Sequence, residues 1–366
     1  MLPADGQSVT PIPAPDQAQP PLLLPRTDGL AIDDPDTALL QQIRTRFVNG
    51  RLGSLVLTAA MVTFAVVNRQ LVSTVCAGIV VILVLPATVY TLWLYEPQRR
   101  RGKALLSRYG WRGARATLVG NKPPTVRIAL DDGELTLRLR RLNWAAKQRL
   151  LRTGTLWICG PDARGRTLVR GAGSVGEALA EVTNAAPKGV PPVLVHPSGP
   201  RPADDPTLIW YERGYRRGLL IVVAVLVLLG GICAGLLSRS DDDVLTQNLI
   251  GSLVPVGIAL SLVIYSAIAR YGQFRRFAAA TYWQAVPVSL DTWVAERSLG
   301  VRTGTGRIIL PGGWRAYVEF PRLPLDLAAN LRATGVLWLA GDAAPGQTVP
   351  IGLPGSALRG VVKIKP

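Results

Sequence analysis

Four long apolar stretches, arranged as two closely spaced pairs, constrain this chain of 366 residues more than any other feature. None of the four contains an Asp, Glu, Lys or Arg. A helix of about 20 apolar residues is long enough to cross the hydrocarbon core of a bilayer. The sequence therefore predicts two helical transmembrane hairpins, with spans at 52–67, 71–94, 218–237 and 249–269.

Basic residues flank the outer ends of both pairs, and cytoplasmic segments beside membrane spans are enriched in Lys and Arg. We therefore expect both termini and the segment between the hairpins to be cytoplasmic. The predominance of Arg over Lys indicates a bacterial source with a high GC content, so the expected location is the bacterial cytoplasmic membrane. A candidate surface for anionic lipid or a partner protein consists of Arg99, Arg100, Arg101, Lys103, Arg138 and Arg140.

An internal repeat is the second strong signal. Residues 139–171 match residues 320–352 without a gap, and both contain the pattern Leu-x-x-Thr-Gly-x-Leu-Trp, which begins at Leu150 and at Leu331. Each copy follows its own apolar pair. The repeating unit is therefore a hairpin plus a module, present twice in the same orientation.

The sequence of each module predicts three strands, a short helix and two further strands. Leu135, Leu137 and Leu139 alternate with polar residues, and Gly154 ends the predicted helix. This order resembles an OB-like small barrel, in which a helix lies between the third and fourth strands. An SH3-like barrel or a small open α+β sheet fits nearly as well. In architecture alone, the chain also resembles uncharacterised multi-pass membrane proteins of actinobacteria, a resemblance that carries no functional residues.

The predicted fold class is a mixed membrane protein with four spans in two α-helical hairpins, each followed by a small cytoplasmic β-rich module. The amino-terminal residues are rich in Pro and Asp, which predicts disorder. The predicted domains are a disordered Pro-rich tail at 1–36, a first transmembrane hairpin with an amino-terminal helix at 37–103, a first module at 104–184, a Pro-rich linker at 185–206, a second hairpin at 207–276 and a second module at 277–366.

Motifs for chemistry are weak. Residues 171–176 form a Gly-x-Gly-x-x-Gly pattern with 177–182 as a candidate helix, but the preceding strand ends a module, and the second copy lacks the pattern. A Gly-rich turn is therefore the favoured interpretation. His196 is the single histidine, and no cluster of His, Cys or carboxylates has the spacing of a metal site. We expect no catalytic residue, no cofactor and no metal.

Several residues are expected at or within the membrane. Trp111 and Trp283 precede the first strand of each module, so we place them at the level of the lipid headgroups. Small residues at four-residue spacing let helices approach closely. They predict packing between spans, or self-association, through Gly231, Gly235, Gly257 and Ser261.

These observations favour a non-enzymatic integral membrane protein that acts as a scaffold for a partner protein or for the anionic inner leaflet. The net charge of +17 is explained by basic segments that face such a leaflet. Nucleic acid is a disfavoured partner, because exposed aromatic residues are sparse among the basic ones. The alternative function is a subunit of a transporter or channel, although no span carries an ionisable group.

Overall fold

The computed structural model describes residues 21–68, 85, 88–90, 92–93, 95–97, 99–140, 142–197, 201–237, 261, 264–265, 272–295, 301–356 and 358–365. Within these residues the chain forms two closed six-stranded β-barrels and two long helices that begin beside them. The predicted duplication and the small barrels that resemble OB-like modules are therefore confirmed.

The elements of the first half are α1 (Pro35–Asn68), β1 (Arg112–Asn121), β2 (Pro124–Leu130), β3 (Gly133–Leu139), α2 (Trp144–Thr153), β4 (Thr155–Cys159), β5 (Arg166–Gly171) and β6 (Glu177–Val182). Those of the second half are α3 (Pro206–Leu237), β7 (Trp283–Ala295), β8 (Val301–Ile309), β9 (Arg315–Pro324), α4 (Leu325–Thr334), β10 (Val336–Ala340), β11 (Thr348–Gly352) and β12 (Arg359–Lys365). Short 3-10 turns at Ala31–Asp33 and Pro202–Asp204 precede α1 and α3.

Both barrels have the same topology. The strand order is β1-β2-β3-β6-β5-β4 in the first and β10-β11-β12-β9-β8-β7 in the second, with antiparallel pairs throughout. Alternating apolar residues fill each interior, because side chains on a strand point to opposite faces in turn. Residues 177–182 form the sixth strand, and not the candidate helix, because Ala180 pairs across the sheet with both Leu139 and Thr167.

The short helices α2 and α4 close one end of each barrel. The Asn143 side chain caps α2 by accepting a hydrogen bond from the Ala146 N–H at 2.8 Å. Both helices end at a glycine in the left-handed conformation, Gly154 with φ of 61° and Gly335 with φ of 64°. Such glycines end helices at little steric cost. The repeat signal in the sequence therefore reflects a repeated helix termination.

The four-span membrane architecture is wrong. No helix formed by the described residues combines the length and the apolar character that crossing a bilayer requires. This finding contradicts the predicted membrane fold class, the membrane-scaffold function with its transporter alternative, and the location in the cytoplasmic membrane. The helices α1 and α3 begin in polar segments, at Pro35 and Pro206, that pack on the barrels. The stretches 71–94 and 249–269 lie largely outside the described residues.

The tryptophans that precede the barrels are buried, which corrects their predicted place among lipid headgroups. Trp111 is 1% exposed and Trp283 is 8% exposed. The Trp111 indole N–H donates to Thr37 Oγ1 at 3.3 Å, and the Trp283 ring lies 6.0 Å from that of Phe277. A buried tryptophan needs an acceptor for its N–H, and α1 supplies one for Trp111.

The start of α1 is fixed by a buried network centred on Asp34. Its Oδ2 atom accepts hydrogen bonds from the N–H and the hydroxyl of Thr37, at 3.1 and 2.6 Å, and from Arg170 of β5 at 2.7 Å. Burial raises the pKa of Asp34, but the bonds from Thr37 and the charge of Arg170 outweigh it, so this pKa lies below that of an ordinary aspartate. The helix cap is therefore also an ion pair to the first barrel.

The start of α3 repeats this cap on the second barrel. Asp205 Oδ1 accepts from the N–H and the hydroxyl of Thr207 at 2.8 and 2.7 Å. Its other oxygen accepts from the backbone N–H of Gly355 at 2.7 Å. Each long helix thus begins with an Asp-Pro step whose carboxylate binds its own barrel.

A second ion pair ties each long helix to the last strand of its barrel, with reversed polarity in the two halves. Arg44 of α1 donates to Glu177 of β6 at 2.8 Å. In the other half, Arg359 of β12 donates to Glu212 of α3 at 3.4 Å. All four side chains are buried, so each charge depends on its partner. The two halves therefore use the same contact with opposite signs.

We expect Asp34→Asn to lower the free energy of unfolding by about 3 kcal/mol at pH 7, because the buried Arg170 would lose the carboxylate to which it is directly bonded. The contribution of a lowered carboxyl pKa is complete above about pH 4 and is lost as the pH falls through that pKa. The difference between wild type and variant should therefore shrink in acid. Urea unfolding between pH 3 and pH 7 measures it.

The control for this experiment is Asp28→Asn, which removes a carboxylate that pairs with Arg26 at 2.7 Å on the exposed surface. Exposed ion pairs contribute little, so the control should behave as wild type. An Asp34→Asn protein as stable as this control at pH 7 would contradict the assigned role of the Asp34–Arg170 pair.

Candidate functional site

The two barrels dock on each other through equivalent elements. The first contact joins residues 172–176, called here the first loop, to α4 of the second barrel. Asp326 accepts hydrogen bonds from Val175 N–H at 2.8 Å and from the Ser174 hydroxyl at 3.3 Å. Asn330 donates to the Gly173 carbonyl at 2.8 Å. The Gly-x-Gly-x-x-Gly pattern therefore lies in a contact between the barrels.

The second contact joins residues 353–356, called here the second loop, to α2 of the first barrel. Arg149 donates through Nη2 to the Ser356 hydroxyl at 2.5 Å. Gly173 and Gly355 occupy equivalent places with φ of 69° and 71°, a conformation that favours glycine. A Cβ on Gly355 would also lie 1.1 Å from an Arg152 nitrogen. The exchange of loops gives the molecule an approximate two-fold arrangement.

Beside α4, this arrangement forms a closed apolar cluster. Leu23 is 5% exposed and packs with Val175, Leu325 and Ala329, against which Leu39, Leu40 and Ile43 of α1 also pack. The Leu23 backbone is held on both sides, because its N–H donates to Asn330 Oδ1 and its carbonyl accepts from Gly173 N–H, each at 2.9 Å. Here the segment before α1 fills the space between the copies.

Beside α2 lies an open cavity of about 650 Å³. It lies between α2, the first loop, the start of α3 and the second barrel. Trp210 of α3 stacks on Trp144 of α2 with ring centroids 5.8 Å apart. The lining side chains that the argument below uses are Arg149, Glu177, Trp210, Tyr211, Tyr215 and Asp326, with Gly214 between the aromatic residues.

A longer repeat, which the sequence interpretation missed, relates the α1 residues of the closed cluster to the α3 residues of the cavity wall. At an offset of 171 positions, Pro21, Leu23 and Asp34 match Pro192, Leu194 and Asp205. The same offset matches Leu39, Leu40 and Ile43 with Trp210, Tyr211 and Gly214. The signal that would have revealed the site is the pair of Asp-Asp-Pro steps at 33–35 and 204–206.

The segment equivalent to the one around Leu23 is held elsewhere on α2. The Gln148 side chain donates to the Val193 carbonyl at 3.0 Å and accepts from Val195 N–H at 2.8 Å. Arg149 is the equivalent of Asn330, and Gln148 is the residue before it. Side chains at adjacent helix positions point about 100° apart, so Gln148 holds its segment at a different face of α2. Leu194 consequently stays half-buried outside the cavity and does not fill it as Leu23 fills the other space.

The electrostatics of the cavity centre on Arg149. Burial lowers the pKa of this guanidinium, and the charge of Asp326 only partly offsets that effect. Its Nε atom is buried and has no acceptor among the described residues. Asp326 itself is bonded to the first loop. An incompletely satisfied cation therefore borders a largely apolar space.

The candidate residues from the sequence lie away from this cavity. Arg99 and Arg100 pair with Glu96, Arg140 pairs with Glu181, and Arg101, Lys103 and Arg138 are exposed. Gly231 and Gly235 lie on α3, Ser261 is helical, and Gly257 lies outside the described residues. Their proposed roles in lipid or partner binding and helix packing stay predictions.

The histidine and the buried cysteine of the described residues lie apart from the cavity. His196 is exposed in the segment before α3. Cys159 is the buried last residue of β4, where burial and the charge of Glu177 raise the pKa of its thiol to about 12. Within the described ranges, no group of three His, Cys, Asp or Glu is placed to hold a metal ion.

A second concavity, of about 680 Å³, lies on the second barrel alone. Tyr282 and Trp314 border it, and Trp314 is 69% exposed. Tyr282 donates its hydroxyl hydrogen to Asp342. All of the described residues that line it belong to the second barrel or its adjoining loops, so this groove serves below as a comparison site.

The chain matches no known protein family, curated protein or solved structure.

We expect Asn330→Ala to release the segment around Leu23, because the two hydrogen bonds by which Asn330 joins the copies, to Leu23 N–H and to the Gly173 carbonyl, are lost and the Gly173 carbonyl stays buried. Hydrogen exchange at the Leu23 and Gly173 amides should accelerate by about tenfold or more. Exchange measured by mass spectrometry tests this. Asn184→Ala, at an exposed position, is the control. Unchanged exchange in Asn330→Ala would show that Asn330 does not hold the segment.

Proposed function

We propose that this protein is a non-enzymatic binding protein that holds a small amphipathic molecule in the cavity between its two copies. The observation that carries this proposal is the contrast between the walls that α1 and α3 form. Leu39, Leu40 and Ile43 of α1 pack in the closed cluster, whereas their equivalents Trp210, Tyr211 and Gly214 line an open cavity. The apolar aromatic surface at this place is therefore available to a ligand.

The size and position of the cavity support a ligand site. Small-molecule pockets typically measure about 300–1,000 Å³ and often lie between domains. Here aromatic side chains of α3 form one wall, and polar groups of α2 and α4 face them. Tyr and Trp provide large apolar contact areas with few torsions to immobilise. An apolar body with one polar end fits this lining.

The lining supports binding and not catalysis. Within the lining, the Ser174 hydroxyl donates to Asp326 at 3.3 Å as part of the contact between the barrels. Glu177 is bonded to Arg44 and Gln41. Both acidic groups therefore have structural partners, and no histidine among the described residues lines the cavity to relay a proton from Ser174. A ligand that touches α2, α3 and α4 would instead stabilise the contact between the copies.

Gly214→Ile tests this proposal, because it introduces the side chain that Ile43 provides in the closed space. A Cβ at Gly214 meets no atom within 4 Å, so the change fits the fold while it fills the cavity. We expect it to weaken binding of the neutral fluorescent probe N-phenyl-1-naphthylamine by about tenfold or more. Fluorescence titration of the full-length protein measures the affinity.

Two controls accompany this measurement. Gly218→Ile lies one turn further along α3, also meets no atom within 4 Å, and should leave probe affinity unchanged. Trp314→Ala removes the main exposed wall of the comparison groove and should likewise have no effect. The proposal fails if wild type does not bind the probe, or if only Trp314→Ala reduces binding.

A further inference from the structure

The charge of Arg149 is not needed for the contact between the copies. The equivalent residue of the second copy, Asn330, is neutral and bonds to Leu23 N–H, the Gly173 carbonyl and the Asp326 carbonyl. Arg149 makes one contact of this kind, to the Ser356 hydroxyl. A neutral amide can thus hold a loop at this place. The positive charge of Arg149 therefore has a role other than holding the second loop.

No carboxylate of the described residues forms an ion pair with Arg149. Asp326, whose negative charge acts on Arg149, accepts hydrogen bonds from Val175 N–H and the Ser174 hydroxyl. Glu177 accepts from Arg44 and Gln41. A buried charge without a partner is costly, and buried arginines are normally paired with carboxylates or phosphates. The missing partner of Arg149 therefore belongs on the cavity side.

The number of charges around the cavity favours a monoanion. One cation, Arg149, faces the space, and two carboxylates, Asp326 and Glu177, also line it. A single carboxylate can take a bidentate position on a guanidinium. A phosphate dianion would bring a second negative charge toward both acidic residues, which opposes its binding.

The aromatic wall defines the rest of the ligand. Arg359 covers the Tyr211 ring at 4.6 Å from its centroid, and Trp144 stacks on Trp210. Trp210 nevertheless stays 38% exposed, so part of its indole surface is open to a bound planar group. Rings stack well on such a surface.

Resting on the proposed function, we propose that the ligand is a small planar or aromatic monocarboxylate, with its carboxylate on Arg149 and its apolar body against Trp210. Arg149 is then a specificity-determining residue. The equivalent position in the second copy holds the neutral Asn330, and this difference in charge distinguishes the copy that binds the ligand from the other copy.

The test compares 2-naphthoate with its neutral isostere 2-naphthamide as competitors for N-phenyl-1-naphthylamine. A charge-assisted hydrogen bond should make the acid bind about 10- to 100-fold more tightly than the amide. Arg149→Gln, whose amide can still donate to Ser356, should reduce this ratio to about one, with the affinity of the variant for the probe measured first and used to convert both competition curves. Arg138→Gln, an exposed arginine, should keep the full ratio.

The outcomes separate the two proposals. Equal binding of acid and amide by wild type overturns the carboxylate inference and leaves the binding function in place. A preference that persists in Arg149→Gln overturns the role of Arg149. Tighter binding of 2-naphthyl phosphate than of 2-naphthoate overturns the choice of a monoanion. If the neutral probe itself does not bind wild type, the proposed function fails as well. The wild-type comparison stands even if Arg149→Gln does not fold.

Discussion

The reciprocal docking of each barrel's loop on the short helix of the other barrel is the constraint on which the rest of the structure depends. This docking requires a left-handed backbone conformation at Gly173 and Gly355. It also requires hydrogen-bonding groups on α2 and α4 that contact the two loops. This exchange brings the starts of α1 and α3 between the barrels. Both the closed cluster around Leu23 and the open cavity beside α2 are consequences of it.

The barrels could be predicted because their signals are local. Alternating Leu residues around Leu137 specify which side of a strand is buried, and Gly154 ends α2 whatever lies beyond it. The match between residues 139–171 and 320–352 established that the module occurs twice. The sixth strand was missed, because Glu177–Val182 has no alternation of its own and is defined by its two neighbours in the barrel.

The prediction failed where a pattern was interpreted without its tertiary context. The absence of charge in the apolar stretches suggested membrane spans, although α1 and α3 start earlier, at polar caps that the barrels bind. The cavity was not predictable from any single motif. Trp210 and Gly214 gain significance only when their equivalents, Leu39 and Ile43, are known to pack in a closed cluster, and Arg149 only when its equivalent, Asn330, is known to be neutral.

The opposite polarity of the two helix-to-strand ion pairs affects how a duplicated chain assembles. If α1 inserted beside β12, Arg44 would meet Arg359, and if α3 inserted beside β6, Glu212 would meet Glu177. Like charges brought together out of water cost several kcal/mol. The repulsion disfavours an exchange of α1 and α3 between the two halves, which share a topology. This applies within one chain during folding and between two chains by domain swapping. The reversed charges therefore favour the contact of each helix with its own barrel.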